Sequence, residues 1–189
     1  MDAAQRQLSD QIDHATQRLL GTAREIADPK LRQPSLLPGW TRAHVLAHLA
    51  RGADAMRYLL IGARSGEDRA AYASEQARAA AIEHTAGLSS KELAADLAAS
   101  AMALRAISRQ LPDDAWPFPV RPRDSGPFPA SQLLTLRLVE VELHHCDLGS
   151  GYGPGDWPTA FATMELAEPM RSLREDRLRR AQQASPATG

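Results

Sequence analysis

The chain has 189 residues, with 22 Lys and Arg against 23 Asp and Glu, so its formal net charge is −1 at pH 7. This balance, with no long basic run before the C-terminal tail, excludes nucleic acid as the main partner. Every apolar segment is broken by charge well short of the ~18 residues that a membrane span needs. One cysteine excludes an intrachain disulfide and any zinc site built on several thiolates, and it fits a reducing cytoplasm; the polar start "MDAAQRQLSDQ" lacks the apolar stretch of a signal peptide.

Alanine, leucine and arginine dominate while β-branched and aromatic residues are sparse, which favours helix nearly throughout. A first helix is expected from Ala3 to Ala27, ended by "DPK". The loop "LRQPSLLPGW" follows; Thr41 then reads as an N-cap, and a second helix runs to Arg64 before "SGED". Ala73 to His84 reads as helix, stopped by Gly87. "SSKE" offers a capping box, with Ser89 and Glu92 three apart, opening a third long helix to Gln110. "LPDDAWPFPVRPRDSGPFPA" is too rich in proline for helix and reads as a long ordered loop; no segment reads as a strand. Ser131 starts a fourth long helix, ended by "GSGYGPGDWP", and a last helix spans Thr159 to Arg180. The expected fold is all-α: an antiparallel four-helix bundle over residues 1–157 with long connecting loops, a short helical extension over 158–180, and a disordered tail over 181–189.

The chemistry concentrates in "RLVEVELHHCDLG", Arg137 to Gly149. At about 100° per residue, Leu133, Leu136, Glu140, Leu143, His144 and Asp147 share one strip of the fourth long helix. Glu140 and His144 are therefore neighbours on adjacent turns, pointing with the leucines toward the core. A carboxylate buried there without a partner costs several kcal/mol or takes its proton back. Two arrangements answer that need: a structural ion-pair or hydrogen-bond network, or a divalent cation bound by the (i, i+4) pair. A third donor must come from another helix. "GWTRAHVLAHLARGADAM" places His44 and His48 four apart, and His48 lies nearer the buried stripe of Val45, Leu49, Ala53 and Met56. His44, Glu142 and His145 are expected to be solvated or locally bonded. Cys146 reads as a small apolar filler, because nothing positions a base beside it. Asp147 either orients a ligating histidine or bonds backbone near the helix end.

"LLPGWTRAHVLAHLARGADAM" resembles the N-terminal signature of the mycothiol-dependent maleylpyruvate isomerase family, within the DinB-like superfamily of metal-binding four-helix bundles. "LRLVEVELHHCDLGSGYGPGDWP" resembles that family's second signature, Glu-x-x-x-His followed by Asp-Leu-Gly. The resemblance covers roughly residues 5 to 165. It implies metal ligands at His48, Glu140 and His144, the trio that the helical wheels also select. It further implies a divalent metal of zinc type with open coordination positions, mycothiol as the thiol cosubstrate, and an actinobacterial source. The implied reaction is attack of a metal-held thiolate on a small electrophile: addition to the double bond of maleylpyruvate, rotation and expulsion of the thiol, or thiol transfer. Two departures stand out. Valine occupies position 139, where the family pattern favours a polar residue, and the C-terminal segment offers no match for the substrate-binding arginine of longer members. The resemblance thus carries the thiol-binding metal core further than it carries maleylpyruvate as substrate. The alternative is a non-catalytic metal- or thiol-binding bundle. Either form is expected to be a monomer or homodimer.

Overall fold

The computed structural model describes residues 1–122 and 126–184. Four long helices form the frame: α1 (Ala3–Glu25), α3 (Arg42–Ser65), α5 (Ser90–Arg109) and α6 (Gln132–Asp147). A single turn, α2 (Asp28–Leu31), follows α1, and α4 (Glu75–Ala86) links α3 to α5. The starts of these helices follow local chemistry. Thr41 accepts a hydrogen bond from the backbone of His44 at the head of α3, and Ser89 and Glu92 form the expected capping box at the head of α5. Each such cap contributes about 1 kcal/mol by satisfying amides that have no partner within the helix. Gly66, at φ 71°, closes α3 in the left-handed conformation that glycine adopts without a Cβ clash.

The bundle runs up-down-down-up. At the two antiparallel seams, Arg105 and Arg109 late in α5 pair with Asp13 of α1, and His48 early in α3 meets Glu140 late in α6. At the parallel seams, Arg18 and Thr22 of α1 reach Glu142 and His145 of α6, while Arg51 and Asp54 of α3 meet Asp96 and Ser100 of α5. Helix α4 makes the parallel pairing of α3 and α5 feasible by carrying the chain back along α3, where Glu83 meets His44 and Arg78 meets His48. Alanines 43, 47, 50 and 53 are fully buried, so the neighbours of α3 approach closely. Leu19, Leu46, Leu49, Leu97 and Leu138 fill the core around them, each contributing on the order of 1.5–3 kcal/mol by leaving water.

Two expectations are corrected. The Pro-rich segment contains a small antiparallel ribbon, β1 (Pro119–Val120) on β2 (Phe128–Pro129); four residues are too few for an alternating pattern to show in the sequence. The last helix is broken into α7 (Thr159–Ala162) and α8 (Met170–Ala184). Pro169 falls inside the expected helix, and a proline disfavours helical backbone at the residue before it and withholds an amide from the preceding turn. Helix continues through residues 181–184, and the rest of the expected tail lies outside the described residues. No helix among the described residues is long and apolar enough to cross a membrane.

Candidate metal centre

Eleven of the sixteen residues of α6 are buried, because α1, α3 and α8 enclose it on several sides. Its polar side chains must therefore find partners inside the protein. They divide into two groups on opposite flanks of the helix.

On the α3 flank, His48, Glu140 and His144 converge, each offering a donor atom within 4.8 Å of the others. His48 Nε2 lies 2.8 Å and His144 Nε2 3.5 Å from the same Glu140 oxygen, Oε2. The two imidazoles meet edge to face, with centroids 4.7 Å apart, and Trp40 packs beside His48 at 5.5 Å. These side chains are 14%, 28% and 16% exposed, so the cluster is recessed yet reachable from solvent. On the far side of His48, Arg78 Nη2 donates to Nδ1 over 3.2 Å. The ring proton of neutral His48 accordingly sits on Nε2, facing the carboxylate. Behind His144, Nδ1 donates to Asp147 Oδ2 at 2.9 Å. Asp147 in turn accepts two bonds from Arg177 of α8, at 3.1 and 2.7 Å.

Burial lowers the pKa of His48, against the pull of Glu140. Burial acts the same way on His144, but its bonds to Asp147 and Glu140 prevail and raise it to about 9. Glu140 is held well below the usual carboxylate range: burial opposes ionisation, and the hydrogen bonds from His144 and His48 outweigh it. Without a cation, the cluster is a carboxylate between one neutral and one protonated imidazole. Two imidazole nitrogens and one carboxylate oxygen also form a donor set that zinc accepts. Tetrahedral bonds of about 2.0–2.1 Å put ligand atoms roughly 3.3 Å apart, close to the 2.8 and 3.5 Å separations at Glu140. The residues fit a divalent cation with modest movement.

The remaining site candidates lie elsewhere. His44 bonds Thr41 and Glu83 and makes no hydrogen bond to the cluster. Glu142 and His145, expected to be solvated or locally bonded, are instead each 1% exposed on the α1 flank. Glu142 accepts from Arg18 at 2.6 Å and from Tyr152 at 2.5 Å. His145 contacts Thr22 at 2.7 Å and stacks on Tyr152 with ring centroids 3.8 Å apart. The wheel placed both off the Glu140 strip correctly; it could not show that α1 packs on that other face. Cys146 is buried as expected, and burial pushes its thiol up to about 12. Arg78 and Arg177 carried no signal in the sequence beyond being two of many arginines.

Residues 12–149, well over half of the chain, match the family described as the mycothiol maleylpyruvate isomerase N-terminal domain. The chain belongs to this family. The matched span contains His48, Glu140, His144 and Asp147, while Arg177 lies beyond it. Two solved structures share the fold. One is the mycothiol-dependent maleylpyruvate isomerase, 30% identical with a TM-score of 0.78; the other is a histidine-to-alanine variant of that enzyme, 29% identical with the same TM-score. Each alignment covers 82% of this chain and 64% of the solved one, so this chain spans just under two thirds of the isomerase's length. Among curated proteins no match is found.

Proposed function

We propose that this chain is a cytoplasmic, mycothiol-dependent metalloenzyme acting on a small electrophile, as an isomerase of the maleylpyruvate isomerase kind or as a thiol S-transferase. The reading rests on the meeting of His48, Glu140 and His144 at one recessed point in a member of this family. These three side chains would hold the cation, with zinc the best match to the donor set. Bound there, the metal would lower the pKa of an incoming thiol so that it is thiolate at neutral pH.

The chain's own residues supply orientation and charge. Asp147, fixed by Arg177, keeps the proton of His144 on Nδ1 and so turns Nε2 toward the cluster. Trp40 shields one side of His48 from water. Arg78 bonds both His48 and Glu75, and Glu75 and Tyr72 form part of the wall of an open cleft of about 530 Å³ that also presents Arg69 and Arg121. Asp68 and Glu75 line the same cleft and balance these two arginines, Arg121 being paired with Asp68 and Arg69 with Glu67, so the cleft wall carries no net charge. In the isomerisation, the thiol's sulfur adds to an activated double bond, the resulting single bond rotates, and elimination returns the thiol unchanged.

The test is metal analysis of protein purified without chelators, together with turnover assays using mycothiol on maleylpyruvate and a panel of electrophiles. One metal per chain is expected, lost in His48→Ala, Glu140→Ala and His144→Ala but kept in His44→Ala. Turnover should fall with the metal. Metal retained equally in all four variants would refute the ligand assignment. Metal bound with no turnover of any electrophile would leave a non-catalytic thiol-binding bundle as the function.

A further inference from the structure

The two imidazoles of the cluster face opposite kinds of partner on their far nitrogens. Nδ1 of His144 meets an acceptor, Asp147 Oδ2, at 2.9 Å. Asp147 thus keeps a proton on Nδ1 and leaves Nε2 as the ligating nitrogen, the usual arrangement of a metal-binding histidine. Nδ1 of His48 meets a donor instead, Arg78 Nη2, at 3.2 Å. A guanidinium has no lone pair with which to accept a bond. While this bond stands, the proton of neutral His48 is on Nε2, the nitrogen that lies 2.8 Å from Glu140 Oε2 and faces the cluster. Coordination through Nε2 moves that proton to Nδ1, where it would point at a second N–H. The bond from Arg78 and a metal bond at His48 Nε2 therefore exclude each other.

The segment that carries Arg78 has little else to hold it. The buried residues of α4 are Ile82, Thr85 and Ala86, all in its second half. Among residues 73–80 only Arg78 is not exposed. Its Nη1 pairs with Glu75 at 3.1 Å, a contact within the segment itself. Its guanidinium lies 6.0 Å from the ring centroid of Tyr72, and the charges of Glu140 and Arg51 both act on the Tyr72 hydroxyl. The chain from Tyr72 to Arg78 thus runs beside the cluster, and the bond to His48 ties it to α3.

We propose that Arg78 is a latch that metal loading must open: the cation displaces the guanidinium from His48 and releases the first half of α4 beside the recess. The inference rests on the metal reading of the cluster and adds what the cation does to the rest of the chain. It couples occupancy of the metal site to the freedom of the segment that borders it.

Nitrogen NMR of the imidazoles and amide hydrogen exchange on the full chain, with zinc chloride as the probe and bound zinc measured in each sample, test this. In metal-free wild type the His48 proton should be on Nε2, with His48→Gln serving to assign the signals; zinc should move it to Nδ1. Amides of residues 77–81 should exchange about tenfold faster with zinc bound, the loss expected from one charge-assisted bond, while those of α3 and α6 slow. This local loosening runs against the general tightening that a bound ligand brings, so a merely structural Arg78 would not produce it. Arg78→Met should show the faster exchange already without zinc, and zinc should add nothing further in residues 77–81. Zinc bound with the proton still on Nε2, zinc bound with exchange of residues 77–81 unchanged or slowed, or wild-type exchange in metal-free Arg78→Met would each overturn the latch and leave the metal centre standing. Failure to bind zinc at all would instead overturn the metal reading, and the latch with it.

Discussion

Replacing Arg177 by methionine removes the guanidinium that clamps Asp147 while keeping most of the side chain's length. Asp147 is 2% and Arg177 8% exposed, so the pair is buried, and deleting one partner of such a pair typically costs about 3–5 kcal/mol. His144 still donates to Asp147 at 2.9 Å, which places the expected cost at the lower end, about 3 kcal/mol. That loss corresponds to a fall of roughly 6–12 °C in Tm for a chain of this size, or about 1–1.5 M in the urea midpoint. The carboxylate would also be freed to turn away from His144, and loss of such an orienting partner typically weakens metal binding about 10–100-fold. Urea titrations followed by circular dichroism on wild type, Arg177→Met, Asp147→Asn and the double variant measure the first effect. Competition for zinc against a chromophoric chelator measures the second. The cycle should show a coupling of about 1–3 kcal/mol. Strictly additive single effects, with zinc affinity unchanged in Arg177→Met, would refute the claim that α8 positions His144 through Asp147.

Arg78→Met should raise zinc affinity about fivefold in the same competition assay, because it removes a cation and a donor that engages His48 Nδ1 over 3.2 Å; weaker binding would mean that Arg78 supports the site. Burial, with the Arg18 charge adding to it, holds His145 down to about 4 in the folded protein, whereas in the unfolded chain it titrates near 6.5. The unfolded state therefore takes up the proton first as pH falls, so the stability that neutral His145 contributes is complete above pH 6.5 and drains away toward pH 4. Urea midpoints at pH 7 and 4.5 should show wild type losing roughly 2–3 kcal/mol more than His145→Gln; parallel losses would contradict this. Cys146, its thiol pushed up to about 12 by burial, should react with a disulfide reagent at pH 8 roughly a thousandfold more slowly in the native than in the urea-unfolded protein, and comparable rates would show that its environment is open.

Local chemistry alone was enough to locate much of this molecule. Thr41 and Ser89 mark helix starts because a side-chain oxygen satisfies amides three residues on, a relation contained within the sequence. Glu140 and His144 are neighbours because any α-helix makes them so, and His48 stood out because its own helix has a legible apolar stripe. Their meeting across α3 and α6 depends on how two distant helices pack, and for that the family resemblance did what periodicity could not. Only the tertiary structure decided the other flank of α6. A helix buried on most of its circumference has no polar face to reveal itself, so Glu142 and His145 gave no sign in sequence of the partners that Arg18, Thr22 and Tyr152 provide. The same holds for Arg177: its bond to Asp147 exists because α8 folds back over α6, a contact between residues thirty positions apart that no local spacing encodes.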